Sequence, residues 1–182
     1  MTEQEALERF AEDLFQDVLV RATTAGGEQY LEEEYTRAML ETLSQAGEVD
    51  ECEVAFHQSR GIKANAYGLS DAGDVLYLFT TNFVKELPPR TLGRTEVNAE
   101  FNRLRAFLTK ALRGDLHRLE ESSPGFEMID HIGAWQADIA RVRLYLLTDG
   151  LTSIDTIADD MVEGLPVSYH VWDLRRTYRC VM

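Results

Sequence analysis

The side chains best able to do chemistry in this chain are carboxylates. Asp and Glu number 32 against 18 Lys and Arg, a net charge of −14 at pH 7. Four acid groupings stand out: Glu32-Glu33-Glu34, Glu51 and Glu53 on either side of Cys52, Asp71 with Asp74, and Asp159-Asp160. Converging carboxylates hold hard divalent cations, and a held cation acidifies an attacking water. Each grouping also has a structural role. Glu32 to Glu34 fall in the first turns of a helix, where negative charge favours the positive end of the helix dipole. Asp71 and Asp74 lie in Ser70-Asp-Ala-Gly-Asp74, a tight reversal in which Asp supplies an Asx bond and Gly the φ > 0 position. The other two groupings read as solvated acids.

Other chemistries lack their residues. The chain contains no G-x-x-x-x-G-K-[ST], G-x-G-x-x-G, G-x-S-x-G or H-E-x-x-H pattern, so phosphate-loop, dinucleotide, nucleophile-elbow and zinc-protease sites have no motif here. His57, His117, His131 and His170 fall in four different elements at no metal-ligand spacing. His57 and His170 are assigned structural roles, although His57 ends a strand beside Asn65, where a pocket could form. Cys52 and Cys180 are far apart and make neither a C-x-x-C pair nor a disulfide framework; they read as reduced core thiols. Trp135 and Trp172 read as core anchors rather than stacking platforms for bases.

The elements that must position these groups are legible from periodicity. Thr2-Glu-Gln-Glu5 forms a capping box ahead of Leu7, Phe10, Leu14 and Val18 at helical spacing, and Thr-Thr-Ala-Gly-Gly from Thr23 ends that helix. A second amphipathic helix runs from Glu28 to Ala46, with Leu31, Tyr35, Met39 and Leu43 on one stripe and Gly47 as its stop. Residues 52–83 then predict an antiparallel meander of three strands. Cys52, Val54 and Phe56 oppose Glu53, Ala55 and His57 in the first strand. Ile62, Ala64, Ala66 and Gly68 oppose Lys63, Asn65, Tyr67 and Leu69 in the second. The third, Val75 to Phe83, is β-branched and aromatic. Pro88-Pro89 makes Lys85 to Arg94 an extended connector. Thr95 is expected to cap a third helix to Arg113, and Ser122-Ser-Pro124 to start a fourth with Pro in its first position. Strands near 142–148 and 165–171 complete a mixed sheet of about five, the first of them apolar enough to be covered on both faces. A last helix begins near Trp172.

At 182 residues the chain predicts one domain, 1–182, with a substantial core. The termination at Arg179-Cys-Val-Met182 in mid-pattern suggests the N-terminal part of a longer protein. No apolar run approaches the ~20 residues of a membrane span, and the acidic N-terminus lacks signal-peptide features, so a cytoplasmic location is expected. The charge argues against nucleic-acid binding, because such proteins neutralise phosphates with a basic face. The local basic segments, Arg103 to Arg118 and Arg175 to Arg179, read as solvated helix faces.

Several segments resemble the N-terminal region of the AIPR family, the abortive-infection phage-resistance proteins of bacteria. They are Ser59-Arg-Gly-Ile-Lys-Ala-Asn-Ala-Tyr67, Asp74-Val-Leu-Tyr-Leu-Phe-Thr-Thr-Asn-Phe83, Thr95-Glu96, Glu120-Glu-Ser-Ser-Pro124, Val142-Arg-Leu-Tyr-Leu-Leu-Thr-Asp-Gly150 and Gly164-Leu-Pro-Val-Ser-Tyr-His-Val-Trp-Asp-Leu174. The order of elements also resembles the restriction-endonuclease-like PD-(D/E)XK fold, which implies a three-layer α/β core. Nucleases of that fold place an Asp at the second strand and a Glu-x-Lys or Asp-x-Lys on the third, around Mg²⁺ or Mn²⁺, often with a Glu from the first core helix. Carried over, the strand acid becomes Asn65 and the triplet becomes Tyr77-Leu78-Phe79, leaving Glu33 or a neighbour as the helix carboxylate and Lys63 nearby. The resemblance therefore implies a degenerate nuclease-like module without a cofactor, acting in assembly, sensing or partner binding. Its partner would be another protein, further domains of its own polypeptide, or a second copy as a homodimer. Two alternatives remain open: a metal-dependent nuclease using displaced acids such as Glu33, Asp71 and Asp74, and an acidic mimic of nucleic-acid charge.

Overall fold

The computed structural model describes residues 1–116, 121–154 and 156–182; His117, Arg118 and Glu120 lie outside the described residues. Its first helix, α1 (Glu3–Ala25), begins at the expected capping box. The Glu5 N–H donates to Thr2 Oγ1 at 3.1 Å and the Thr2 N–H to Glu5 Oε2 at 2.9 Å. It stops at Gly26, whose φ of +129° no L side chain readily adopts. A 3-10 turn at Glu28–Tyr30 leads into α2 (Leu31–Gln45). The meander follows as β1 (Cys52–Ser59), β2 (Ile62–Leu69) and β3 (Val75–Asn82), paired antiparallel. After β4 (Thr91–Leu92) come α3 (Arg94–Arg113), α4 (Phe126–Trp135), β5 (Arg141–Thr148), β6 (Leu151–Thr152), β7 (Asp160–Val162), β8 (Leu165–Trp172) and α5 (Leu174–Val181).

Six strands form one sheet in the order β1-β2-β3-β5-β8-β7, with β5 parallel to both β3 and β8. Helices cover both faces, so two cores result. Leu104, Phe107 and Leu108 of α3 and Met128 and Ile132 of α4 pack on Leu76, Leu78, Leu144 and Leu146. On the other face Tyr35, Met39 and Leu43 of α2 meet Tyr77, Phe79, Tyr145, Leu147 and Trp172. Strand β5 feeds both cores through alternate residues, as its continuous apolar run predicts.

Five local expectations are corrected. Helix α3 starts one residue before Thr95, capped by Gly93, whose N–H donates to Glu96 Oε1 at 3.4 Å. Helix α4 starts at Phe126, because Gly125 must first pass over β1: a Cβ there would stand 2.9 Å from His57 Cβ. The acidic connector before β8 contains a sixth strand, β7, and the segments expected to be irregular supply β4 and β6, a parallel pair at the side. Cys180 is exposed rather than a core thiol; Cys52 is half-buried and its thiol is pushed up to about 12 by burial.

The fifth correction concerns the alternation of β2. Val54 pairs with Ala66 but His57 pairs with Ala64, so Ala55 and Phe56 together stand against the single Asn65. Ala66 consequently joins the core under α2, while Ala64 and Ile62 join the core under α3. The regular pairing of β2 with β3 ends at Ala66 and Phe79. Beyond it, side chains replace backbone in the ladder: the Thr81 N–H donates to Asn65 Oδ1 at 2.9 Å, and Lys63 Nζ donates to the Thr81 carbonyl at 2.8 Å. Two buried peptide groups that would otherwise lack partners are thus satisfied.

Candidate functional site

The break in β2 gathers polar groups at one place. Lys63 and Asn65 are both buried, 7% and 3% exposed, and both reach toward α2. Lys63 Nζ lies 3.3 Å from Glu32 Oε1, and Asn65 Nδ2 donates to Glu32 Oε2 at 3.0 Å. Each oxygen of the Glu32 carboxylate therefore has its own donor. The Thr36 and Thr81 hydroxyls meet at 2.7 Å beside this clamp, and Thr36 also donates to the Glu32 carbonyl at 2.8 Å. The network opens on a cavity of about 460 Å³ whose walls include Tyr30, Glu32, Glu33, Phe56, Asn65 and Pro124.

Of the residues singled out in the sequence, Lys63 and Asn65 are brought together. Glu33 lines the same cavity, but its carboxylate faces Arg37 at 3.5 Å; the helix acid that meets the two strand residues is Glu32. Spacing carried that signal. Glu32 and Thr36 continue the buried stripe of Leu40 and Leu43, whereas Glu33 stands four residues before Arg37 on an outer face. Thr81 had no sequence signal of its own, since only the end of the β2–β3 ladder makes its peptide group available.

Tyr77 and Phe79 lie away from the clamp. Tyr77 is 6% exposed, edge-on to Tyr145 with Arg143 over its face, and Phe79 stacks on Tyr145 at 4.8 Å. Asp71 and Asp74 sit in the β2–β3 reversal, at the opposite end of β2 from Lys63. There the Asp71 N–H donates to Asp50 Oδ2, while Ser70 Oγ donates to Asp74 Oδ1. Among the described residues no group of three His, Cys, Asp or Glu side chains is placed to hold a metal ion.

Two further polar clusters went unnoticed in the sequence. On the α2 face, Arg143 donates to Glu48 Oε1 at 2.7 Å and packs over Tyr145, which donates to the same oxygen at 3.2 Å. His170 stacks on Tyr145 and bonds Ser168 at 2.8 Å; burial first, then the Arg143 charge, holds it down at about 4. The sequence assigned it a structural role. On the α4 face the Tyr67 hydroxyl bridges Glu53 and His131 Nδ1, and burial followed by the Glu53 bond raises its pKa. His57, also assigned a structural role, is buried against Phe107 and bonds Ser59 at 3.3 Å, with its pKa lowered by burial.

The basic stretches are largely neutralised by ion pairs: Arg105 to Asp160, Arg113 to Glu163, and Arg175 and Arg179 to Glu3. Among the described residues no helix is long and apolar enough to cross a membrane. The family model of the abortive infection phage resistance protein N-terminal domain matches residues 35–179. No curated protein and no solved structure matches the chain.

Proposed function

Because the chain belongs to the family of abortive infection phage resistance protein N-terminal domains, we propose that it is a non-catalytic module of a bacterial phage-defence protein, serving assembly, sensing or partner binding. One observation carries the reading. The helix carboxylate that a nuclease of the restriction-endonuclease-like fold would turn toward a metal is here clamped by Lys63 and Asn65. An ammonium supplies the positive charge that a divalent cation would bring, and Asn65 adds no negative ligand. Mg²⁺ keeps its waters and needs more than one anionic ligand or a substrate phosphate, and Tyr77 and Phe79 can supply neither a carboxylate nor an ammonium.

The endonuclease-like assignment is supported by the meander, the helical crossover from β3 to parallel β5, and helices on both faces. In this reading the remnant of the catalytic centre has become a bridge tying α2 to the sheet. The displaced-acid alternative gains nothing from Asp71 and Asp74, which sit in the β2–β3 reversal at the opposite end of β2 from Lys63. The charge-mimic alternative gains little, because acids such as Glu41, Glu96 and Asp160 are paired with arginines.

A thermal titration with Mn²⁺ and Mg²⁺, on the wild type and on Glu32→Ala, tests the proposal. A cation at about a hundred times its dissociation constant would add ~2.7 kcal/mol to the stability of a folded protein that binds it. The expected outcome is no saturable stabilisation and no metal-dependent cleavage of DNA or RNA. Saturable stabilisation that disappears in Glu32→Ala, together with cleavage, would overturn it.

A further inference from the structure

A sheet of six strands has two edges, and here they differ. Strand β7 spans only Asp160–Val162 and is tied to α3 through Arg105–Asp160 at 3.1 Å and Arg113–Glu163 at 2.8 Å. Strand β1 is the long edge, Cys52–Ser59, and among the described residues its outward side carries no backbone hydrogen bond. Unpaired edges of this length are templates for an added strand. The loop at Pro124-Gly125 crosses near Phe56 and His57, which among the described residues leaves the first half of β1 as the open part.

Two cavities flank that half, both between α2 and β1. One of about 570 Å³ is bounded by Arg37, Leu40, Glu41, Glu51 and Val54; the other is the 460 Å³ space beside the clamp. They share Val54 as a wall, so they lie side by side along the edge.

The two faces of the edge differ in chemistry. Cys52 and Val54 turn toward the apolar core under α2, and Phe56 remains 38% exposed. Glu53 turns to the other face, where Tyr67 holds it, with Glu51 exposed two residues earlier. Arg37, the cation in the groove, is already paired with Glu33 and Glu34. A strand laid along β1 would place alternate side chains on these two faces.

Resting on the non-catalytic reading, we infer that β1 is a docking edge for an extended segment of a partner protein in which apolar and basic residues alternate. Apolar side chains fill the groove over Leu40 and Val54, and basic ones meet Glu53 on the opposite face and Glu51 where the groove begins. Charge selects this occupant over a second copy of the chain. In the antiparallel pairing of β1 with itself that centres on Cys52, Glu51 of each copy faces Glu53 of the other, and like charges opposite one another destabilise a strand pair.

The test uses a short fluorescent peptide alternating Val and Lys, its Val/Glu counterpart, and a Val/Lys peptide with alternate backbone amides N-methylated. Binding to the full chain is read by anisotropy and by hydrogen exchange of the amides at Cys52 to Val54. The Val/Lys peptide should bind saturably, protect those amides and weaken with salt, and the other two should not. Glu51→Lys, a change at an exposed position, should weaken it roughly tenfold, by removing an attraction and adding a repulsion of similar size. Absence of binding, equal binding of the Val/Glu peptide, or equal binding of the N-methylated peptide would overturn the inference. The metal titration reads Glu32 and is blind to this edge. A failed peptide test therefore leaves the non-catalytic reading standing, and a surviving metal centre would leave the peptide result untouched.

Discussion

Restoring the acid at position 65 puts the clamp to its hardest test. In Asn65→Asp one carboxylate oxygen still accepts from the Thr81 N–H, but the other replaces the donor that lies 3.0 Å from Glu32 Oε2. The lost bond is one to a charged group, worth about 1.5–3 kcal/mol. In its place two carboxylates face each other at ~3 Å, a repulsion of up to about 5 kcal/mol at an effective dielectric constant of ~20. Lys63, 3.3 Å from the other Glu32 oxygen, offsets part of this, and a proton shared by the pair offsets more. The net expectation is a loss of roughly 2–4 kcal/mol at pH 7, or about 5–15 °C in Tm for a domain of this size.

The pH dependence has a definite sign. Repulsion raises the folded pKa of the new pair above its unfolded value. The variant is therefore closest to wild type at low pH and loses ground as pH rises through the folded pKa. Urea denaturation of both proteins at pH 5 and pH 7 measures this directly. Adding Glu32→Gln to Asn65→Asp swaps amide and carboxylate and should recover most of the loss, to within ~1 kcal/mol of wild type. A deficit below about 0.5 kcal/mol at pH 7, or one equal at both pH values, would show that Asn65 does not clamp Glu32, and with it the argument against a metal would fall.

Three other outcomes follow from the same packing. His170, held at about 4 by burial and then Arg143, should show an NMR titration midpoint far below that of an unfolded histidine. Because its folded pKa is depressed, its contribution to stability is present above ~6.5 and declines as pH falls toward the folded value, by at most about 1.4 kcal/mol per pH unit. Gly68→Ala should cost roughly 1–3 kcal/mol in urea denaturation: the new Cβ overlaps Cys52 Sγ and stands 2.9 Å from the Glu51 carbonyl oxygen, so β1 itself must shift. Tyr77→Ala should cost about 3–5 kcal/mol by the same measurement, since it empties a site packed by Tyr145 and Arg143.

What the sequence determined by itself was whatever repeats at short range. The Thr2 capping box, the stripe of Leu31, Tyr35, Met39 and Leu43, and the alternating and apolar runs of the meander and β5 each carry their periodicity in a few neighbouring residues. Those runs placed the helices and four of the five long strands, and Asn65 and Lys63 were singled out by the family resemblance rather than by any local pattern. The tertiary structure alone decided which helix acid they meet. Helical spacing sets Glu32 on the stripe of Thr36 and Leu40 and Glu33 beside Arg37, but the packing of α2 on the sheet is what brings that stripe to Lys63 and Asn65. It also decided the reversal of faces at Asn65, where Ala64 and Ala66 serve opposite cores. That break arises because the β2–β3 ladder ends and side chains must satisfy the Thr81 peptide group, a demand set by a strand distant in sequence. The short strands β4, β6 and β7 belong to the same class. Two or three residues hold too little pattern to announce a strand, and they become one only when a neighbour offers its hydrogen bonds.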